Sequence, residues 1–218
     1  MVVYYVTVSK EDSSISINEL ADSFARDKYV VWRSCLKDPQ LSLFFRYTCK
    51  RADLETMIQD PRAPGADAAP GDLFIDALLL DFLPSAEAIS RLKLFPTYSY
   101  FRVYKRGDFL VKHTDRPSCE ISISFYVAHH AWPLLLEMPN GISSIELKPG
   151  DALFYRGIDI SHWREPMNGE RAAHVFLHYV DQSGPYAEWK YDRRNGIPSH
   201  KPFRADRSAL KQTNTMVN

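Results

Sequence analysis

His113 and Asp115 are separated by a single residue inside the segment from Phe101 to Val127, FRVYKRGDFLVKHTDRPSCEISISFYV. In an extended chain residues two apart project to the same side, so this pair offers an imidazole and a carboxylate on one face of a strand end. Such triplets arise often by chance, and the pair gains weight from His162, 47 residues beyond Asp115 in Ser161-His162-Trp163-Arg164-Glu165-Pro166. Two imidazoles and one carboxylate hold a metal on one side and leave its remaining positions open. That donor set suits Fe(II) reacting with small ligands, whereas structural zinc favours a closed tetrahedral set.

Nine residues past His162, Arg171 opens the apolar run RAAHVFLHYV. A guanidinium there can grip a carboxylate through two parallel hydrogen bonds, which a dicarboxylate chelating the metal at its other end would need. The order His-x-Asp, distal His, then Arg resembles the Fe(II)- and 2-oxoglutarate-dependent dioxygenases, in the branch that looks like prolyl 4-hydroxylase catalytic domains. The resemblance covers about residues 95–182 and rests on ordered spacing.

The resemblance implies that His113, Asp115 and His162 are the catalytic iron ligands and that Arg171 binds the far carboxylate of 2-oxoglutarate, with O2 as the other co-substrate. Tyr104 and Tyr126 fall where this branch places tyrosines that contact 2-oxoglutarate. Asp115 points to hydroxylation over halogenation, because related halogenases lack that carboxylate; desaturation or ring formation uses the same oxidant. Arg116 and Glu120, which follow the ligand pair directly, are candidates for recognising a polar substrate, and Trp132 and Trp163 for walling its pocket. His174 and His178 differ in parity from Arg171, so an inward Arg171 would turn them away from the metal.

The elements that must position these residues are legible in part. The expected fold is α+β with a mainly β core, a double-stranded β-helix (a cupin-like jelly roll) braced by N-terminal helices. One domain is expected, divided into a support region 1–97, a catalytic core 98–182 and an extension 183–218. MVVYYVTVSK reads as a first strand, and a Ser16-to-Glu19 capping box starts a helix over 17–27. Tyr29–Trp32 reads as a short strand, and a second helix follows Asp38. The segment DPRAPGADAAPGD, residues 60–72, reads as a mobile loop. Residues 73–94 suggest two short helices divided at Pro84, and strands are expected at 120–127, 133–138, 143–147 and 152–156. Alternation puts Ser122, Ser124 and Tyr126 on an inner face and Ile121, Ile123 and Phe125 on an outer one.

Composition bounds the rest. The 218 residues, 45% of them hydrophobic and 13% aromatic, suffice for one substantial core. Lys plus Arg and Asp plus Glu balance at 27 each, which gives no overall basic field to recruit nucleic acid or anionic lipid. Cys35, Cys49 and Cys119 form neither a disulfide framework nor a zinc knuckle by spacing, so a cytoplasmic protein is expected, and no run is long enough for a membrane span. The expected partner is a small-molecule substrate, an amino acid or biosynthetic intermediate, and the expected assembly is a monomer or homodimer. The alternatives are a prolyl or other protein side-chain hydroxylase and a non-catalytic jelly-roll module that binds a ligand or metal.

Overall fold

Ser16 starts the first helix by exchanging hydrogen bonds with Glu19: the Glu19 amide donates to Ser16 Oγ (3.3 Å) and the Ser16 amide to Glu19 Oε2 (2.7 Å). The computed structural model describes residues 15–54, 57–128 and 131–197. The first strand expected at residues 1–10 and residues 198–218 of the expected extension lie outside them. Helix α1 (Ile17–Asp27) turns Leu20, Ala21 and Phe24 inward and stops at Lys28, whose left-handed φ of 65° ends the helix. The chain continues as β1 (Tyr29–Trp32), α2 (Gln40–Leu54), β2 (Ile58–Asp60), β3 (Ala63–Pro70), α3 (Leu73–Asp81) and α4 (Leu83–Ser90). Asp72 caps α3 by accepting the amides of Phe74 and Ile75, and Pro84 sits in the first turn of α4, where its missing N–H costs nothing.

Residues 60–72 are not a loop. The small side chains of Ala63, Ala66, Ala68 and Ala69 are buried, and β3 pairs with β4 (Leu94–Lys105) as an added strand of the main sheet. Composition misled here because alanine, glycine and proline read as turn formers when nothing large flanks them, yet a strand facing a crowded layer needs small residues. Gly65, at φ 88°, shows the crowding: a Cβ there would overlap the Asp108 carboxylate.

The remaining strands are β5 (Leu110–His113), β6 (Ile121–Ala128), β7 (Leu134–Met138), β8 (Gly141–Ile145), β9 (Ala152–Tyr155), β10 (His162–Arg164) and β11 (Arg171–Asp181). They form two antiparallel sheets, a large one ordered β1-β9-β6-β11-β4-β3-β2 and a small one ordered β5-β10-β7-β8. The helices cover one face of the large sheet. There Ile121, Ile123, Phe125, Val175 and Leu177 pack with Leu20, Phe24, Phe44, Ile75 and Leu79, and Phe24 meets Phe154 edge-on at 4.7 Å. Each such fully buried side chain is worth about 1.5–3 kcal/mol relative to exposure. A second apolar cluster, including Tyr104, Leu110, Tyr126, Leu134, Leu136, Leu153 and Ile160, joins the other face of the large sheet to the small sheet. The chain is therefore layered as helices, large sheet and small sheet. Among the described residues no helix is long and apolar enough to cross a membrane.

Candidate active site

The antiparallel pairing of β10 with β5 sets His162 directly opposite His113. Their rings lie 4.4 Å apart, and Asp115, just past β5, brings Oδ1 to 3.6 Å from His113 Nε2 and 3.7 Å from His162 Nε2. Each histidine is oriented by the backbone two residues earlier: His113 Nδ1 donates to the Val111 carbonyl (2.7 Å) and His162 Nδ1 to the Ile160 carbonyl (2.9 Å). A carbonyl only accepts, so each Nδ1 carries the hydrogen and each Nε2 presents a bare lone pair.

The protonation states match. Burial lowers the His162 pKa and keeps that ring neutral. Asp115 Oδ2 is buried with no hydrogen-bond partner, which a stable fold tolerates poorly unless an ion sits nearby. The ligand atoms of these three residues lie within 4.8 Å of one another, a spread that an ion with bonds of about 2.1 Å can bridge. The donor set therefore fits a divalent metal held on one side.

These residues line a narrow cavity of about 20 Å3 between the two sheets, room for about one water molecule. Tyr100, Arg102 and Tyr104 enter it from β4, Ser124 from β6, Leu134 from β7, Tyr155 from β9 and Phe176 from β11. Burial raises the pKa of Tyr100 and Tyr155, so both phenols remain protonated.

Arg171 is not among these residues. It sits at the start of β11 with its guanidinium on Asp53 of α2 (2.7 Å), outside the cavity. The cause is strand parity. Odd positions of β11, Ala173, Val175, Leu177 and Tyr179, pack in the helix-side core, while Phe176 faces the cavity and His174 lies against Tyr126 at 4.9 Å. The expectation that His174 and His178 turn away is thus reversed: they share the inward side, and His178 Nδ1 bonds Ser122 Oγ at 2.8 Å.

Arg164 is the residue that spacing within β10 points to and that was not singled out. Two positions past His162, it shares that residue's face by the same alternation that joins His113 to Asp115. It is 4% exposed, and its guanidinium spans the Trp132 ring at 4.8 Å and donates to the Trp132 carbonyl. No Asp or Glu among the described residues pairs with it, and burial pulls its pKa down to about 10. A second cavity arginine, Arg102, is matched by Asp60.

The other candidates disperse. Tyr104 lines the cavity, while Tyr126 stands in the wall behind it, its phenol pushed up to about 12 by burial. Trp132 packs edge-on to Tyr104 at 4.7 Å and so backs the cavity. Trp163 points to the other side of β10, under Lys112 and bonded to Glu165. Glu120 accepts the Asp181 amide (2.9 Å) and faces Arg156 (3.3 Å), tying strand ends together away from the cavity. Arg116 lies over Tyr98 and donates to Asp192 (2.9 Å).

No family model and no curated protein sequence matches this chain. Solved structures do match it in fold. A prolyl-4-hydroxylase from Pseudomonas putida is 15% identical with a TM-score of 0.63, over 75% of this chain and 98% of that one. HygX from Streptomyces hygroscopicus, solved with nickel and 2-oxoglutarate, is 12% identical with a TM-score of 0.63, over 78% and 89%. A Trichoplax adhaerens prolyl hydroxylase, in complex with a peptide fragment of the hypoxia inducible factor oxygen degradation domain, is 13% identical with a TM-score of 0.61, over 76% and 89%.

Proposed function

We propose that this chain, which shares its fold with 2-oxoglutarate- and iron-dependent oxygenases, is itself such an enzyme, a hydroxylase of a small molecule built on a double-stranded β-helix. The chain from β4 to β11 alternates between the two sheets except at the β7-β8 hairpin, which supports the barrel reading. The observation that carries the reading is the unpaired guanidinium of Arg164 in the same cavity as His113, Asp115 and His162. A cation buried without an acid is costly, and a dicarboxylate bound to the metal at one end would supply the missing charge at the other.

His113 and His162 would donate their Nε2 atoms and Asp115 an oxygen to Fe(II), leaving the cavity side of the ion open. With 2-oxoglutarate and O2 bound, the iron supplies oxidation of an unactivated C–H bond coupled to decarboxylation of the co-substrate to succinate and CO2. Arg164 takes the far carboxylate of 2-oxoglutarate in place of Arg171, and Tyr104 stands beside it with a hydroxyl to donate. Leu110, Leu134 and Phe176 add apolar surface to the cavity and help exclude water, which strengthens every charge contact inside. Loading requires the lining side chains to draw back, since about 20 Å3 does not admit a five-carbon diacid. The narrowness of the cavity favours a small substrate over a peptide, which would need an open groove.

Anaerobic titration of the metal-free protein with Fe(II) and then 2-oxoglutarate tests this. A visible charge-transfer band should appear only with both additions and be lost in Asp115→Ala. Iron that binds weakly, with no band, would leave a ligand-binding module as the better account. Succinate release across small acids, amino acids and proline-containing peptides then separates the two substrate classes.

A further inference from the structure

The turn between β2 and β3 reaches the cavity at two points. Asp60 Oδ1 accepts the Arg62 amide (2.9 Å), closing the turn, and Asp60 Oδ2 takes the Nη2 of Arg102. The Arg102 side chain is 4% exposed, its guanidinium lies 5.3–5.6 Å from the rings of Tyr100, Tyr104 and Phe176, and its Nη1 donates to the Tyr104 hydroxyl (2.7 Å). On the other side of the turn, the Arg62 carbonyl accepts the Val111 amide (2.7 Å), and the Val111 carbonyl in turn orients His113.

We propose that Asp60 is a positioning residue for 2-oxoglutarate, acting through Arg102 on the Tyr104 hydroxyl; this rests on the function proposed above. A phenol oxygen that accepts a charged N–H turns its own hydrogen away from that donor. The Tyr104 hydrogen is thereby left for the cavity, which Arg164 also faces, and the two make a pair of donors for one distal carboxylate. Arg102 Nε is buried without a hydrogen-bond partner, so the guanidinium is held in its aromatic cage at its two terminal nitrogens. Removing the Asp60 contact leaves it free to swing, and Tyr104 loses its fixed orientation. The turn thus braces the co-substrate through the Asp60 carboxylate and the metal through the Arg62 backbone, by separate bonds.

That separation defines the test. Asp60→Asn keeps an Oδ1 that can accept the Arg62 amide and replaces the charged acceptor toward Arg102 by an NH2 group that cannot accept from it. Calorimetry with Ni(II), then with 2-oxoglutarate added to the Ni(II)-loaded protein, is run on the wild type, Asp60→Asn, Tyr104→Phe and the double variant. Ni(II) affinity should stay unchanged throughout. The dissociation constant for 2-oxoglutarate should rise about tenfold in each single variant, the scale of one charge-assisted hydrogen bond, and no further in the double variant. Unchanged 2-oxoglutarate binding in Asp60→Asn, or additive losses in the double variant, would overturn the role. Tighter binding would also overturn it, by making Arg102 an anchor that Asp60 holds back, and joint loss of Ni(II) and 2-oxoglutarate affinity would reduce Asp60 to a structural residue. A wild-type protein that binds Ni(II) but not 2-oxoglutarate would instead refute the proposed function itself.

Discussion

Gly157 and Asp115 are in contact through both backbone and side chain: the Asp115 amide donates to the Gly157 carbonyl (2.9 Å), and a Cβ on Gly157 would overlap Asp115 Oδ2. Of the groups such a Cβ would strike, the buried Tyr155 ring is packed in place, so the Asp115 side chain is the one that must rotate away. Gly157→Ala should therefore leave the fold standing and expel the Asp115 carboxylate from the ligand set. Metal affinity is expected to fall about 10–100-fold, the usual cost of losing support for a metal ligand, read by Ni(II) calorimetry beside an unchanged circular dichroism spectrum.

Arg164 sets stability against binding. Replacing a buried unpaired charge by an apolar side chain of similar length removes a desolvation cost, so Arg164→Met should stabilise the metal-free protein by about 1–4 kcal/mol in urea unfolding. The same variant should lose 2-oxoglutarate affinity and the protection against unfolding that 2-oxoglutarate confers on the Ni(II)-loaded wild type. A variant less stable than the wild type would show that the guanidinium is satisfied from within.

Arg171→Ala is the complementary control. Its partner Asp53 is 47% exposed, and an exposed ion pair contributes about 0–1 kcal/mol, so stability and 2-oxoglutarate affinity should both stay near wild-type values. A collapse in 2-oxoglutarate binding would return the carboxylate to Arg171 and require β11 to turn over in solution.

The histidines give the metal-free protein an acid limit. Burial lowers His178 to about 4, against about 6.5 in an unfolded chain. Between those values the unfolded state binds the extra proton, so stability is fully present above about pH 6.5 and declines as the pH falls toward 4, by up to about 3 kcal/mol from this residue. His162, lowered in the same direction, adds to the slope. Urea midpoints at pH 7.5, 6 and 5 should fall steadily in the wild type and less steeply in His178→Gln.

What was legible in the sequence was local. The Ser16 capping box, the break at Pro84 and the His-x-Asp pair each depend on residues a few positions apart, and the structure has the helix, the helix boundary and the shared face those patterns imply. Alternation along β6 placed Ser124 inward and Ile123 outward. Arg171 and the alanine-rich β3 went astray for one physical reason: each depends on what lies across the sheet. Spacing along a chain does not reveal which parity of β11 meets the helices, nor that residues 63–70 have a partner strand waiting at β4. Arg164 was within reach, since the alternation used for His113 and Asp115 applies unchanged to His162 and Arg164.

The two-sidedness of β11 carries a consequence for how such a protein can be altered. Ala173, Val175 and Leu177 answer to the helices, whereas Phe176 answers to the cavity, and the two sets interleave along the strand. Durability and selectivity are therefore written on alternate letters of one line. A change of catalytic taste can be spelled at the even letters while the odd ones keep the molecule intact, but a single inserted residue would exchange the two texts and ruin both.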